Sequence, residues 1–268
     1  MHLTWLNSNS WLIEMGGLRI LLDPWLVGPL EFGNLSWLFR GEHTRPVAIP
    51  EPVDLILLSQ GLEDHAHPAT LRQLDRTIPV VASPNAAKVV QGLGYQRVTA
   101  LAHGETYQIG QQMGQQMGQL TIRAVPGSPI GPMLTENGYL LKDAAGTQLY
   151  YEPHGHHSPS LKAFAPVDVV IAPVVDLEIP LLGAIIKGCR SALEVAQWLQ
   201  PQVLLPTAAG GDVAFSGLLT KVLRAQGSPT ELQQQLTQHQ LPTKLIAPTP
   251  GERVNLPLAV TSAGSEHL

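Results

Sequence analysis

Apolar residues recur along the chain in short runs, often alternating with polar ones, and this pattern predicts many β-strands. Strands are predicted over 3–5, 11–14 and 18–23, and Gly16-Gly17 between the last two predicts a tight hairpin. Further strands are predicted over 54–58, 79–82, 97–101, 106–109, 120–125, 138–142 and 148–151. Helices are predicted near 68–76 and over 84–93, where Pro84 suits a first turn because its missing N–H costs nothing there.

The second half of the chain alternates between helical and strand patterns. Helices are predicted near 158–164, 191–199, 216–225 and 229–238, and strands over 167–172, 202–206 and 244–246. A meander followed by βαβ units, repeated once, predicts an α/β fold built as a four-layer αββα sandwich. No linker separates the halves, so we expect one domain over 1–256 and a disordered tail over 257–268.

Composition narrows the classes of function. The net charge of −5, without a Lys/Arg cluster, argues against a nucleic-acid partner. The single cysteine, Cys189, excludes an internal disulfide and suits a reducing compartment. The N-terminal residues lack the pattern of a signal peptide. Because charged and proline residues interrupt the longest apolar run, 167–186, it is not expected to span a bilayer. A cytoplasmic protein is therefore predicted.

The most informative segment is 59–67, which reads Ser-Gln-Gly-Leu-Glu-Asp-His-Ala-His. An apolar strand pattern precedes it and a helical pattern follows, and such a loop is a common way to present Asp and His to a hydrolytic metal. Asp64 and His65 are the candidate catalytic residues, with His67 as a further ligand. The alternative is structural: Asp64 would cap the next helix, and His65 would bond a backbone carbonyl.

A second group of metal-ligating residue types follows the predicted strand 148–151. Glu152, His154, His156 and His157 lie within six residues there. If the two loops converge, Asp64, His65, His67, Glu152 and His154 form one mixed nitrogen and oxygen site suited to Zn, Mn or Fe(II). Asp64 or Glu152 could then act as a general base. Alternatively, the histidines of this turn are solvent-exposed and bind nothing.

The order of elements and the loop at 59–67 resemble the metallo-β-lactamase superfamily, especially its branch of predicted hydrolases similar to ascorbate-6-phosphate lactonase. The cues are Trp11-Leu12-Ile13-Glu14, the segment 18–25 ending in Asp23-Pro24-Trp25, and Asp64-His65 before a helix. The resemblance covers roughly residues 3–250. It implies an αββα sandwich with a metal site between the sheets at their loop edge, and hydrolysis by metal-activated water.

Several ligands that the resemblance implies are replaced. The motif His-x-His-x-Asp-His places its first two histidines on Gln60 and Leu62, and its last two residues on Asp64 and His65. Leu62 has no lone pair to offer a metal. Ser128, or a residue near it, stands at a later histidine position.

Three further positions depart from the pattern. No histidine follows the strand ending near 207, and Asn7-Ser8-Asn9 stands where an early histidine is often found. At the bridging aspartate, the candidates are Glu152 and His154. We therefore expect no two-metal centre on the family pattern, and at most one divalent metal; the sequence leaves open whether any is bound.

Two apolar stretches, 25–39 and 179–186, lie where the resemblance puts the mouth of the site. Trp25, Trp37, Gln60, Ser128 and His156 are candidate pocket residues. Such an entrance suits a lipid-like small molecule or peripheral contact with a membrane or protein. The alternative is that these stretches are ordinary core. A repeated Gly-Gln-Gln-Met sequence within 110–119 is interpreted as a lengthened hairpin tip, and Asp23 as the cap of the turn that Pro24 begins.

Two functions remain open on the sequence. The first is a divergent metallo-hydrolase with water activation at Asp64 and His65. The second is a non-catalytic pseudoenzyme that binds an apolar ligand or a protein partner in the old pocket. The pattern selects neither a substrate nor an oligomeric state.

Overall fold

The fold was analysed in a computed structural model, which describes residues 1–110, 119–130, 134–180 and 183–259. Its first strands are β1 (His2–Trp5), β2 (Trp11–Met15), β3 (Leu18–Leu22), β4 (Arg40–His43), β5 (Leu55–Leu58), β6 (Val80–Ala82), β7 (Val98–Ala100), β8 (Thr106–Ile109), β9 (Leu120–Ile130), β10 (Leu134–Asp143) and β11 (Gln148–Tyr151). The later strands are β12 (Val169–Pro173), β13 (Asp176–Ile179), β14 (Gly183–Ile186), β15 (Val203–Thr207), β16 (Val213–Ser216), β17 (Arg224–Gln226), β18 (Lys244–Leu245) and β19 (Arg253–Asn255). The α-helices are α1 (Pro68–Gln73), α2 (Pro84–Gly92), α3 (Cys189–Leu199) and α4 (Pro229–Gln238).

Two seven-stranded sheets form the centre of the fold. The first has the order β19-β1-β2-β3-β5-β6-β7, and the second β18-β15-β12-β11-β10-β9-β8. In each, an antiparallel meander continues into parallel strands: β3 pairs in parallel with β5, and β11 with β12. Because parallel strands end on the same side, the loops that follow β3, β5 and β11 gather at one edge.

Alternation along the central strands explains the layers. In β5, Leu55 and Leu57 enter the core between the two sheets, while Ile56 and Leu58 face the opposite side. That opposite side packs against apolar residues of α1 and α2, and the outer face of the second sheet packs against α3 and α4. In α3, Ala192, Val195, Ala196 and Leu199 are buried, which is the spacing of one helical face. The predicted αββα sandwich is confirmed.

Local signals in the first half of the chain were accurate. Gly16 and Gly17 both have positive φ in the two-residue hairpin between β2 and β3. Helix α2 begins at Pro84, with the Ser83 side chain accepting the N–H of Ala86 as its N-cap.

The predicted helix over 216–225 is wrong. Strand β16 ends there against β4, Gly217 turns the chain with a φ of +104°, and β17 joins β13. The 158–164 segment is a 3-10 helix, Pro159–Phe164. Strand β14 lies within the apolar stretch 179–186 and pairs antiparallel with β13.

Three predicted features lie partly outside the described residues: the repeated Gly-Gln-Gln-Met segment at 111–118, positions 181–182 of the second apolar stretch, and positions 260–268 of the tail. Among the helices described, none combines the length and apolar character needed to cross a bilayer.

Candidate metal centre

The loop after β5 and the turn after β11 meet at the shared edge of the two sheets. The ring centroids of His65 and His154, one from each segment, lie 5.1 Å apart. Ligand atoms of Asp64, His65 and His154 lie within 4.8 Å of one another. The two loops, whose convergence the sequence analysis left as a condition, therefore meet in the structure.

Asp23 anchors the first half of this centre. Its Oδ1 accepts the N–H of Ser59 at 2.7 Å, and its Oδ2 lies 2.5 Å from Ser59 Oγ, 2.7 Å from His65 Nδ1 and 2.6 Å from the Tyr151 hydroxyl. The residue is fully buried and has a φ of +42°, a region that Asp tolerates better than most residues. The expected turn-capping role of Asp23 is wrong, because its carboxylate points into the space between the sheets.

The Asp23 contact fixes one proton of His65 on Nδ1. A carboxylate accepts from Nδ1–H, so Nε2 is the nitrogen that carries the lone pair when the ring is neutral. Asn9 Nδ2 approaches Nε2 at 3.5 Å, while Asp64 Oδ2 lies 3.1 Å from it. An imidazole lone pair and a carboxylate oxygen this close need a proton or a cation between them.

Glu136 holds His154 in the same manner. Glu136 Oε1 accepts from His154 Nδ1 at 2.8 Å and from the N–H of Ser128 at 3.1 Å. Glu136 lies at an irregularity in the pairing of β9 and β10, between Thr135 and Asn137. Such a bulge redirects a side chain, and here it turns the carboxylate inward.

Glu152 completes a second group of possible ligands. Its Oε2 accepts the backbone N–H groups of His154, at 3.1 Å, of His156, at 2.9 Å, and of Gly155. One atom each of Glu136, Glu152 and His154 lie within 4.8 Å of one another. The structure thus divides the single predicted site into two adjoining groups that share His154.

The charges at this edge favour bound cations. Asp23, Glu136 and Glu152 are fully buried and Asp64 is 17 % exposed, so four carboxylates face only two imidazoles. Among the described residues, Asp64 Oδ1, Glu136 Oε2 and Glu152 Oε1 are buried without a hydrogen-bond partner. Buried carboxylates that lack partners are costly unless a proton or a metal compensates them.

The pKa shifts reflect this excess of negative charge. Burial opposes the charged form of His65, but the carboxylates of Asp64 and Asp23 outweigh it and raise the pKa of His65 well above its ordinary value. Burial, together with the neighbouring Glu136 carboxylate, raises the pKa of Glu152 well above its ordinary value. Both shifts favour the protonated form, which reduces the net negative charge of the centre.

Other candidate residues have different surroundings. His67 is the N-cap of α1: its Nδ1 accepts the N–H of Thr70 at 3.3 Å and its Nε2 contacts the carbonyl of Pro29 at 3.1 Å. Both ring nitrogens are therefore engaged, and His67, not Asp64, caps this helix. His65 contacts carboxylates and not the backbone carbonyl of the structural alternative.

The two tryptophans differ in exposure. Trp25 is fully buried and packs against His43 with ring centroids 4.4 Å apart, whereas Trp37 is 65 % exposed at the surface. Gln60 is buried at the end of β5, and Ser128 contributes its backbone N–H to Glu136.

His156 lines a cavity of about 530 Å³ beside the centre. Most of the residues that line the cavity have polar or charged side chains, among them Asp176, Lys187, Arg190 and Glu194. This lining suits a polar ligand better than a lipid-like one.

Asp23 and Glu136 were missed as functional candidates. A signal for Asp23 existed, because it follows a strand that is parallel to the strand before the Asp64 loop. For Glu136 the sequence carries no such signal, since a bulge places it and a bulge has no simple residue pattern.

Comparison with known proteins agrees with this geometry. The family model described as "Beta-lactamase superfamily domain" matches residues 2–208, more than half of the chain. The chain belongs to the metallo-β-lactamase superfamily.

Its relatives within the superfamily are distant. A protein of Herpetosiphon aurantiacus is 25 % identical over 95 % of this chain and 98 % of its own, and one of Myxococcus xanthus is 24 % identical over 93 % and 81 %. Both are named UPF0173 metal-dependent hydrolases.

Solved structures share the fold of this superfamily member. The isothiocyanate hydrolase from Delia radicum gut bacteria has a TM-score of 0.68 at 17 % identity, covering 96 % of this chain and 99 % of its own. A possible metal-dependent hydrolase from Veillonella parvula has a TM-score of 0.70 at 13 % identity, with the same coverage.

Proposed function

We propose that this protein is a metal-dependent hydrolase whose metal is held by Asp64, His65 and His154. The observation that carries the proposal is the pair of imidazoles whose Nδ1 atoms each contact a buried carboxylate, at 2.7 Å for Asp23 and 2.8 Å for Glu136. Histidines that bind metals through Nε2 usually have such a partner on the other nitrogen. The proposal is also supported by the two relatives described above, which are both named metal-dependent hydrolases.

The donor set fits a catalytic metal. Three protein ligands, two nitrogens and one oxygen, leave coordination positions for water and substrate. Zn, Mn and Fe(II) all accept this combination. An ion held there would supply the Lewis acidity that makes water a nucleophile at neutral pH.

The chain's own residues supply positioning and proton transfer. Asp23 and Glu136 keep the protons of His65 and His154 on Nδ1, and so orient both rings. Asp64 Oδ1, which lacks a hydrogen-bond partner among the described residues, would accept a proton from an attacking water. The cavity lined by Lys187, Arg190 and His156, the last on the same turn as His154, would hold the substrate.

Metal loading and hydrolysis test this proposal together. Purified protein is loaded with Zn²⁺ or Mn²⁺, its metal content is measured, and a panel of lactones, carboxylic esters and phosphoesters is screened. We expect His154→Asn to lower metal affinity and turnover at least about 100-fold, because a ligand is lost outright. His239→Asn, the same exchange at an exposed position after α4, should change neither.

Two results would count against the proposal. One is wild-type protein that takes up no metal and hydrolyses nothing on the panel. The other is equal metal binding and activity in the two histidine variants, which would remove His154 from the centre.

A further inference from the structure

We propose that an apolar patch, formed by residues 32–39 and 213–224, docks this protein on the surface of an anionic membrane. Of the eight large apolar side chains that are exposed in the described part of the chain, five lie in these two segments. They are between 41 % and 65 % exposed: Leu35, Trp37, Phe215, Leu218 and Val222. Exposed apolar residues are ordinarily scattered singly, so such a cluster marks a surface that contacts something else. The inference does not depend on the hydrolase activity proposed above.

The two segments form one surface although they are distant in the chain. Strands β4 and β16, which adjoin the two segments, pair antiparallel. The backbone N–H of Leu218 donates to the carbonyl of Trp37 at 3.0 Å, and the ring centroids of Phe39 and Phe215 lie 5.6 Å apart. Backbone pairing therefore holds the exposed side chains of the apolar patch together.

The charges of the apolar patch match an anionic lipid surface. Neither segment contains an acidic residue, although the chain has 21. The acidic residues found beside the patch are engaged: Glu31 and Glu42 with Arg40, Asp212 with Arg45, and Glu63 with the N–H of Gly33. Lys221 and Arg224 form no ion pair among the described residues, although Glu178 is the cross-strand neighbour of Arg224. Cationic groups beside exposed apolar side chains fit lipid phosphates and acyl chains.

A second copy of this chain fits the same patch less well. A two-fold axis would place two patches face to face, and Lys221 and Arg224 of both copies would meet without an acidic residue in either patch to neutralise them. The exposed side chains also stand on a loop and beside one turn of 3-10 helix, Leu219–Lys221, and do not line a groove. An indole that protrudes like Trp37 is a common anchor at the level of lipid headgroups.

Vesicle binding by the full-length protein tests the inference. The protein is floated with unilamellar vesicles of phosphatidylcholine alone, or of phosphatidylcholine and phosphatidylglycerol in equal amounts. We expect binding to the mixed vesicles to be at least about 10-fold tighter and to weaken with salt, although the chain has a net charge of −5. Tryptophan emission should shift to shorter wavelength on binding, and Trp37→Phe should remove the shift.

Two matched pairs of variants assign the binding to the apolar patch. Leu218 and Leu134 are both 51 % exposed, but Leu134 lies elsewhere, at the start of β10. We expect Leu218→Ala to weaken vesicle binding about 3–10-fold, and Leu134→Ala to leave it unchanged. Lys221→Gln should weaken binding to the mixed vesicles about 5-fold, whereas Lys88→Gln, at an exposed position of α2, should not. Circular dichroism checks that each variant is folded.

Several results would overturn the inference. They are absence of binding to both kinds of vesicle, equal binding to both, and the same decrease in Leu218→Ala as in Leu134→Ala. A dimer found by sedimentation without lipid, and dissociated by Leu218→Ala, would also overturn it, because a second copy would then cover the patch. Metal content and hydrolysis should stay at the wild-type level in all of these variants, so a failure of the hydrolase proposal is seen separately.

Discussion

Replacing Asp23 with asparagine tests whether one buried carboxylate organises the centre. Three of the four donors around Asp23 converge on Oδ2: the Ser59 hydroxyl, His65 Nδ1 and the Tyr151 hydroxyl. An asparagine can keep its oxygen on the Ser59 N–H, but its NH₂ group then meets three donors. The two hydroxyls can rotate to accept, whereas His65 can accept only by moving its proton to Nε2.

The magnitude follows from burial and charge. Asp23 and His65 are both fully buried, so solvent does not screen their contact. Removing one partner of such a buried pair typically costs about 3–5 kcal/mol, and we expect a loss of that size in the free energy of unfolding. The proton on Nε2 would also block that nitrogen as a ligand, which should weaken metal binding about 10–100-fold.

Three measurements on each variant separate the effects: urea denaturation, metal titration by calorimetry, and ¹⁵N NMR of histidine to assign the His65 tautomer. Tyr151→Phe removes one donor but leaves Nδ1–H in place, so it should cost about 1.5 kcal/mol without changing the tautomer. Asp54→Asn, an exposed aspartate that accepts the N–H of Arg19, is the control and should stay within about 0.5 kcal/mol. Asp23→Asn with wild-type stability and metal affinity would refute the reasoning.

Two further predictions concern the backbone and a surface ion pair. Gly155 has a φ of +76° and a Cβ there would overlap the Lys187 carbonyl oxygen, so Gly155→Ala should destabilise by more than about 3 kcal/mol. Gly146→Ala, with φ of +89° and open space, should cost only about 1–2 kcal/mol in denaturation; equal losses would contradict the steric explanation. Hydrogen bonding to Arg253 lowers the pKa of Glu14 from its ordinary value of 4.5, so the pair contributes stability above that pH and loses it as pH falls through the lowered pKa. Glu14→Gln should be less stable than wild type by at most about 1 kcal/mol at pH 7, and the difference should vanish in acid; a difference that persists at pH 2 would exclude this origin.

Local sequence signals identified most of the central strands because their residues face two different layers. In β5, Leu55 and Leu57 face one layer, and Ile56 and Leu58 face the other. The pleat of the strand sets this alternation of side chains, whichever strand pairs with it. Signals for Gly16-Gly17 and Pro84 are local in the same way. The helix prediction for 216–225 failed because the apolar residues of this segment are spaced as in a helix. Its strands instead form by pairing with β4 and β13, which are distant in the chain.

In the candidate centre, too, residues marked by local sequence were predicted and residues placed by strand pairing were not. Asp64 and His65 were found because they follow a strand within a few positions. Glu136 was not, since it reaches His154 only through the pairing of β10 with β11 and a local irregularity against β9. The grouping of Glu136 with Glu152 depends on pairing between strands, which no local pattern specifies.

By itself the sequence determined the layers, the αββα fold and the loop that presents the Asp64-His65 pair, because period, turn residues and apolar content act over a few neighbouring positions. Only the tertiary structure decided which carboxylate holds each imidazole. Asp23 and His65 are 42 positions apart, and Glu136 and His154 are 18 apart. Contacts of this kind arise from the stacking of two sheets, and they decide which nitrogen of each ring remains for a metal.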